Sequence, residues 1–285
     1  SASERTPCWC ARTSASKEAA SSDASAAALS AGYARPLHAQ APNADDTDWV
    51  EIVGLYDTTE QLLATIARYL PDGYKRVKIK ICPGHDIELV QAVRARFGDI
   101  PLMTDANASY SIADLPIYQK LDTYGLRMYE QPLAGISLGD SAILQSQIKT
   151  PICLDESLET FAALERAAEL DSFRIANIKI QRVGGFRNAL AMYNRCRELG
   201  LSIWIGTMPE LGIGCAQGAA MSALEGCDYP TDVEASLRWF QDDLMDPFIE
   251  VRDGRIKLPT TPGLGYTINE SKLQRYFVAR QVIEQ

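Results

Sequence analysis

The chain has 285 residues, 37 acidic against 28 basic side chains, a formal charge of −9 and 46% hydrophobic residues. That length accommodates one parallel barrel of roughly 250 residues or two smaller domains. The acidic balance argues against nucleic acid or an anionic membrane as partner, and no apolar run in the sequence approaches the roughly 18 residues that span a bilayer.

Residues 1–48 are rich in Ala, Ser and Asp and carry few large apolar side chains. Such a segment buries too little surface to offset its ordering entropy, so it is expected to be disordered. It has neither the basic n-region nor the apolar h-region of a secretory leader. The cysteines (Cys8, Cys10, Cys82, Cys153, Cys196, Cys215 and Cys227) are scattered and odd in number. They read as reduced thiols of a cytoplasmic protein, and Cys8 and Cys10 lack a second pair at zinc-ligand spacing.

From Val50 onward, strand-like runs are predicted at 50–55, 76–81, 101–104, 126–129, 151–154, 175–178 and 201–205, with a weaker one near 229–233. Helical patterns fill the gaps. Asp57-Thr58-Thr59-Glu60 is a capping box ahead of Leu62, Leu63, Ile66 and Leu70, which share one helical face. Asp86 can cap a helix carrying Leu89, Val90, Val93 and Phe97, Ser157 precedes Phe161, Leu164 and Ala168, and the helix through Leu190 and Cys196 stops at Gly200. Seven strand–helix units and an eighth strand make a TIM-like (β/α)7β barrel over 49–240, with 241–285 as a C-terminal segment. An open doubly wound sheet is the runner-up, but Gly54-Leu55-Tyr56-Asp57 is not the glycine-rich first turn such a sheet carries.

Lys80, Asp105, Glu130, Asp155 and Lys179 each close one of these runs, at steps of 25, 25, 25 and 24 residues. A parallel barrel gathers the carboxyl ends of its strands on one rim. In Val77-Lys78-Ile79-Lys80-Ile81 the aliphatic side chains share one face and the lysines the other. The aliphatic face must meet the helices, which turns Lys78 and Lys80 inward. The same alternation aims the other four charges inward. Three buried carboxylates repel one another, and a hard divalent cation, Mg²⁺ with Mn²⁺ as substitute, would neutralise them. A metal between two lysines suits removal of a proton α to a carboxylate, with Lys78 disfavouring protonation of Lys80. A purely structural ion cluster is the alternative. Tyr110 and Tyr129 flank the rim motifs and read as packing residues; His85 reads as a solvated loop residue.

The stretches Lys78-Ile79-Lys80-Ile81-Cys82-Pro83-Gly84-His85-Asp86, Thr104-Asp105-Ala106-Asn107, Glu130-Gln131-Pro132-Leu133, Leu154-Asp155-Glu156-Ser157, Asn177-Ile178-Lys179 and Arg182-Val183-Gly184-Gly185 resemble the enolase superfamily. Within it, they are most similar to the o-succinylbenzoate synthase / N-acylamino acid racemase family of the muconate-lactonizing subgroup. The resemblance implies Asp105, Glu130 and Asp155 as Mg²⁺ ligands and Lys80 and Lys179 as the catalytic pair, a Lys base beside Mg²⁺ being an established feature of that superfamily. It implies a small-molecule carboxylate substrate and either a syn dehydration serving menaquinone synthesis or racemisation or epimerisation of an N-acylamino acid or dipeptide. A barrel that binds metal without turnover is the alternative from another class, and a homo-oligomer stays open.

Asn107 and Glu156 sit beside proposed ligands, and Met208, Glu210, Asp232 and Glu234 lie on later rim stretches; all six are candidates for contact with substrate or for support of the residues that touch it. The resemblance also implies an N-terminal α+β capping domain, which residues 1–48 do not resemble. Thr207, Pro209 and the acid in Asp232-Val233-Glu234 depart from the family's pattern, which bears on substrate choice and not on the metal site.

Overall fold

A computed structural model describes residues 46–48, 51–53, 58–135, 137–233 and 240–279. After a short strand β1 (Asp46–Asp48), seven parallel strands follow in sequence order: β2 (Glu51–Val53), β3 (Val77–Lys80), β4 (Leu102–Asp105), β5 (Tyr129–Glu130), β6 (Ile152–Leu154), β7 (Ile175–Ile178) and β8 (Ser202–Ile205). Each matches one of the seven expected runs. The crossovers are α1 (Thr59–Tyr69), α2 (Ile87–Phe97), α3 (Leu115–Leu121), α4 (Leu138–Gln147), α5 (Phe161–Glu169) and α6 (Phe186–Glu198), and α7 (Gly212–Ser222) follows β8. Successive parallel strands joined by helices curl the sheet into the TIM-like wall that the spacing predicts.

Alternation along the strands divides the interior in two. Val77, Ile79, Leu102, Ile152, Leu154, Ile178, Ile203 and Ile205 face outward and join helix residues such as Ile66, Val90, Leu144 and Leu164 in one apolar core. Each such side chain contributes ~1.5–3 kcal/mol by leaving water. Met103, Met128, Cys153, Ile175 and Trp204 face the other way and form a separate small cluster inside the sheet's curve. The charged rim residues stand above this floor.

The helix caps differ in detail from the sequence reading. Thr58 caps α1, its Oγ1 accepting from Gln61 N at 3.2 Å, while Asp57 lies outside the described residues. Asp86 caps α2 as expected. For α5 the cap is Thr160, which accepts from Ala163 N at 3.1 Å; Ser157 instead packs beside Gln131. After α6 the chain turns at Gly200, φ +69°, a left-handed conformation that a Cβ would strain.

The weak eighth run at 229–233 is not a regular strand. Among the described residues it has one isolated bridge position, Thr231, after the parallel bridge of Cys227 to Ile203; Pro230 has no N–H to offer a ladder, and the Thr231 hydroxyl donates to the Ile205 carbonyl at 2.6 Å. Beyond it, β9 (Met245–Asp246) pairs with β12 (Thr267–Ile268), and β11 (Arg255–Lys257) lies between β1 and β10 (Val251–Arg252). Helix α8 (Glu270–Tyr276) follows. Met245, Ile249, Ile256 and Leu258 share the main core. Of the segment expected to lack order, 1–45 lie outside the described residues, as do Cys8 and Cys10, and 46–48 are β1. Among the described residues no helix is long and apolar enough to cross a membrane.

Candidate active site

Register brings the charged strand ends level: Lys80 lies opposite Asp105, and Asp105 opposite Glu130. All three carboxylates are buried, Asp105 and Asp155 at 1% exposure and Glu130 at 0%. Lys80 Nζ donates to Asp105 Oδ2 at 2.5 Å and to Asn107 Oδ1 at 2.6 Å. Lys78, one layer lower, donates to Glu130 Oε2 at 3.2 Å and Asp232 Oδ2 at 2.9 Å and lies 3.7 Å from Asp105. Across the site, Lys179 Nζ reaches Asp155 Oδ2 at 2.9 Å, and Arg182 pairs with the other oxygen of Asp155. Both flanking lysines thus meet the row of acids at one end of the sheet.

The electrostatics follow from burial and neighbours. Burial works to raise the Asp105 pKa, but Lys80 and Lys78 outweigh it and hold the group at about 2. Glu130 is pushed up to about 8, first by burial and then by Asp105, with Lys78 opposing and Asp155 adding. Lys78 and Lys179 are both held above the ordinary lysine value: burial opposes, but Asp232 first for Lys78 and Asp155 first for Lys179 prevail.

The remaining candidates sort by contact. Asn107, at φ +41°, donates its backbone N–H to Asp105 Oδ1 at 3.0 Å and its side-chain amide to Glu156 Oε1 at 2.9 Å, which links Lys80 to Glu156. Asp232 is 2% exposed and accepts from Thr207 N at 2.8 Å besides Lys78, so it faces a lysine. Glu210 accepts from Thr207 Oγ1 at 2.8 Å and from Gln181, and Met208 is exposed on the same loop. Glu234 lies outside the described residues. Tyr110, Tyr118 and Tyr129 stack edge to face at 5.2 and 5.0 Å, a packing role as expected.

Four contributors escaped the sequence reading. Asn177 donates to Glu130 Oε1 at 2.9 Å; it stands two residues before Lys179, so strand alternation could have found it. Arg76 stands two before Lys78 on the same inward face and is 2% exposed. Arg182, like Asn177 and Gln131, was noted only within a motif. Gln131 accepts from Asp155 N at 2.9 Å and Ser157 N at 3.1 Å, bracing the β6 end from β5; no periodic signal marks that role.

Among the described residues no three His, Cys, Asp or Glu side chains are grouped tightly enough to enclose a metal ion as they stand. Each carboxylate is turned to its own partner: Lys80 for Asp105, Lys78 and Asn177 for Glu130, Lys179 and Arg182 for Asp155. The donor chemistry nonetheless fits a hard cation. The three side chains offer only oxygen, they stand at or just past the ends of consecutive strands, and Glu130 is buried beside Asp105 with no second cation of its own besides Lys78 in hydrogen-bond reach among the described residues.

The model of the family described as enolase C-terminal domain-like matches residues 61–272. The o-succinylbenzoate synthase of Geobacillus kaustophilus is 44% identical over 224 residues, 79% of this chain and 60% of that protein. The N-succinylamino acid racemase of an Amycolatopsis species is 42% identical over 214 residues, 75% of this chain and 58% of that one. A solved enolase superfamily member from Listeria innocua Clip11262 superposes with a TM-score of 0.84 at 36% identity, covering 89% of this chain and 68% of that chain. The chain spans about 60% of the length of the first of these relatives. With its fold, its matched span and these relatives in agreement, the chain belongs to the enolase C-terminal domain-like family.

Proposed function

We propose that this chain carries the site of a carbon–oxygen lyase that removes a proton α to a substrate carboxylate and expels the substrate's hydroxyl as water, as in o-succinylbenzoate synthesis. The observation that carries this reading is the pair of lysines, on β3 and just after β7, that flank three buried carboxylates on the intervening strand ends. Asp105, Glu130 and Asp155 would hold Mg²⁺. When bound, the cation supplies charge stabilisation at the substrate carboxylate as the α-carbon loses its proton.

The lysines divide the work by accessibility. Lys80 is 22% exposed and Lys78 3%, so Lys80 is the group that meets substrate and takes the α-proton. That proton then leaves with the departing hydroxyl as water. Lys78 stays charged between Glu130 and Asp232 and acts as a fixed counter-charge. Lys179, anchored on Asp155, presents its charge to the enediolate from the opposite face. A second reading, racemisation of an N-acylamino acid, is supported by the racemase relative and by the same two-sided lysine arrangement, in which either ammonium can return a proton to the α-carbon.

The test is an assay of the purified chain with Mg²⁺ against the o-succinylbenzoate precursor and an N-succinylamino acid. Dehydration is expected with the first. Solvent-deuterium incorporation at the α-carbon of the second, lost in Lys179→Ala, would favour the racemase. Neither turnover nor exchange would leave a barrel that binds metal without chemistry.

A further inference from the structure

We infer that Arg76 is a positioning residue: from the floor of the barrel it fixes the irregular 229–233 run, so that Asp232 holds Lys78 in place. Among the described residues the run carries only isolated bridge positions, at Cys227 just before it and at Thr231, so side-chain bonds add to its placement. The side-chain bonds that hold it are Arg76 Nη2 to Pro230 O at 2.8 Å, Thr231 Oγ1 to Ile205 O at 2.6 Å, Val233 N to Thr231 Oγ1 at 3.0 Å and Thr207 N to Asp232 Oδ1 at 2.8 Å. The remaining oxygen, Asp232 Oδ2, accepts from Lys78 Nζ. Arg76 therefore grips the chain two residues before the group that holds Lys78, while its own backbone lies two residues before Lys78 on β3.

The guanidinium is locked in turn. It lies 4.7 Å from the Trp204 ring centre and 5.5 Å from that of Tyr229, with Nη1 3.6 Å from Met128 Sδ. An Arg plane stacks on aromatic faces and directs its fork in a fixed direction, which a Lys ammonium cannot reproduce. Stability alone gives little reason for a cation here. Its Nε is buried without a partner, its hydrogen bonds go to Pro230 O and Met128 Sδ rather than to an acid, and apolar replacements of buried charges are often neutral or stabilising. A positional task explains the side chain where packing does not.

The placement of Lys78 stands on geometry alone; only its consequence for turnover rests on the proposed function. The two are separated by measuring acylation of Lys78 by an amine-reactive ester, read by mass spectrometry against the exposed Lys149 of the same chain. Lys78 is expected to be protected in the parent and to label about tenfold faster or more in R76K and R76M, because loosening the run raises local opening. D232N should label to the same degree, and adding R76M to D232N should change its rate by no more than about twofold, since both act through one contact. Near-UV circular dichroism checks folding, and R76K, which keeps the charge and nearly the volume, decides the matter should R76M fail to fold. Lys78 labelling in R76K within about twofold of the parent, or effects of R76M and D232N that add, would overturn the inference. In a parent that turns over, R76K should lower kcat about tenfold with KM unchanged; a rise in KM alone would overturn the link to chemistry, whereas an inactive parent overturns the proposed function and leaves the labelling result to stand.

Discussion

The β3–β7 rim and the 229–233 run both deliver acids to the same site, by different means. On the rim, Asp105 and Glu130 are paired across consecutive parallel strands, and Asp155 follows the next strand two residues beyond the partner of Glu130, so backbone ladders set their height. In the 229–233 run, where the described residues form an isolated bridge at Thr231 and no longer strand, Asp232 reaches Lys78 with Arg76, Thr207 and Thr231 holding the chain through single side-chain bonds. A position fixed by a ladder repeats in sequence at the length of a strand–helix unit. A position fixed by side-chain anchors leaves no such period.

The largest expected effect breaks the rim. Asp155→Asn removes a proposed Mg²⁺ ligand and weakens the hold on Lys179 and Arg182, so kcat/KM should fall about 1,000-fold or more, ~4 kcal/mol in transition-state stabilisation. Steady-state kinetics across a Mg²⁺ series, with calorimetric titration of the metal, measures it; unchanged turnover removes the ligand assignment. Next is the outward face that supports the ladders. Leu102 is fully buried on β4, and Leu102→Ala should cost ~2–5 kcal/mol of folding stability, read as a shift in urea midpoint at constant slope.

A third variant tests the seam between the two regions. A Cβ on Gly206 would collide with the Asn177 amide, the group that donates to Glu130. Gly206→Ala should therefore destabilise by ~1–3 kcal/mol through overpacking and lower turnover. Asn177→Ala on top of it should recover part of the stability but not the activity. Additive stability losses in the double variant would mean the two residues do not share that space.

These differences explain what was legible in the sequence. The seven strands, the inward lysines and the level of the carboxylates follow from alternation and repeat length, two periods that any reader can count. Asn177 and Arg76 obeyed the same alternation, yet an isolated Asn or Arg near a strand carries little signal until a neighbour gives it a partner. The eighth run reads weakly because Pro230 has no N–H for a ladder and the Thr231 hydroxyl adds a side-chain bond to Ile205 O that no pattern marks. Gln131 braces the backbone of another strand, and Thr160 caps α5 in place of Ser157, through contacts that depend on three-dimensional neighbours. Asp232 was flagged from a motif, but its engagement with Lys78 spans 154 residues and has no local trace.

The smallest expected effect asks whether the regular units also rely on such anchors. Asp122, after α3, accepts from Lys149 N at 3.0 Å and Thr150 N at 2.7 Å, tying that turn to the start of β6. Burial works to raise its pKa, but these N–H groups and the Thr150 hydroxyl outweigh it and hold the carboxyl below its ordinary value of 3.8. A depressed folded pKa means the stabilisation is fully present above the ordinary value and is lost as pH falls through the folded one. Asp122→Asn should therefore melt below the parent near neutral pH, by a small margin because the group is partly solvated, and the two curves should converge as pH drops beneath about 3.8. Thermal melts of both chains across that range provide the measurement. A gap that stays constant with pH would mean the carboxylate's charge contributes nothing and that the α3–β6 connection is held by its backbone alone.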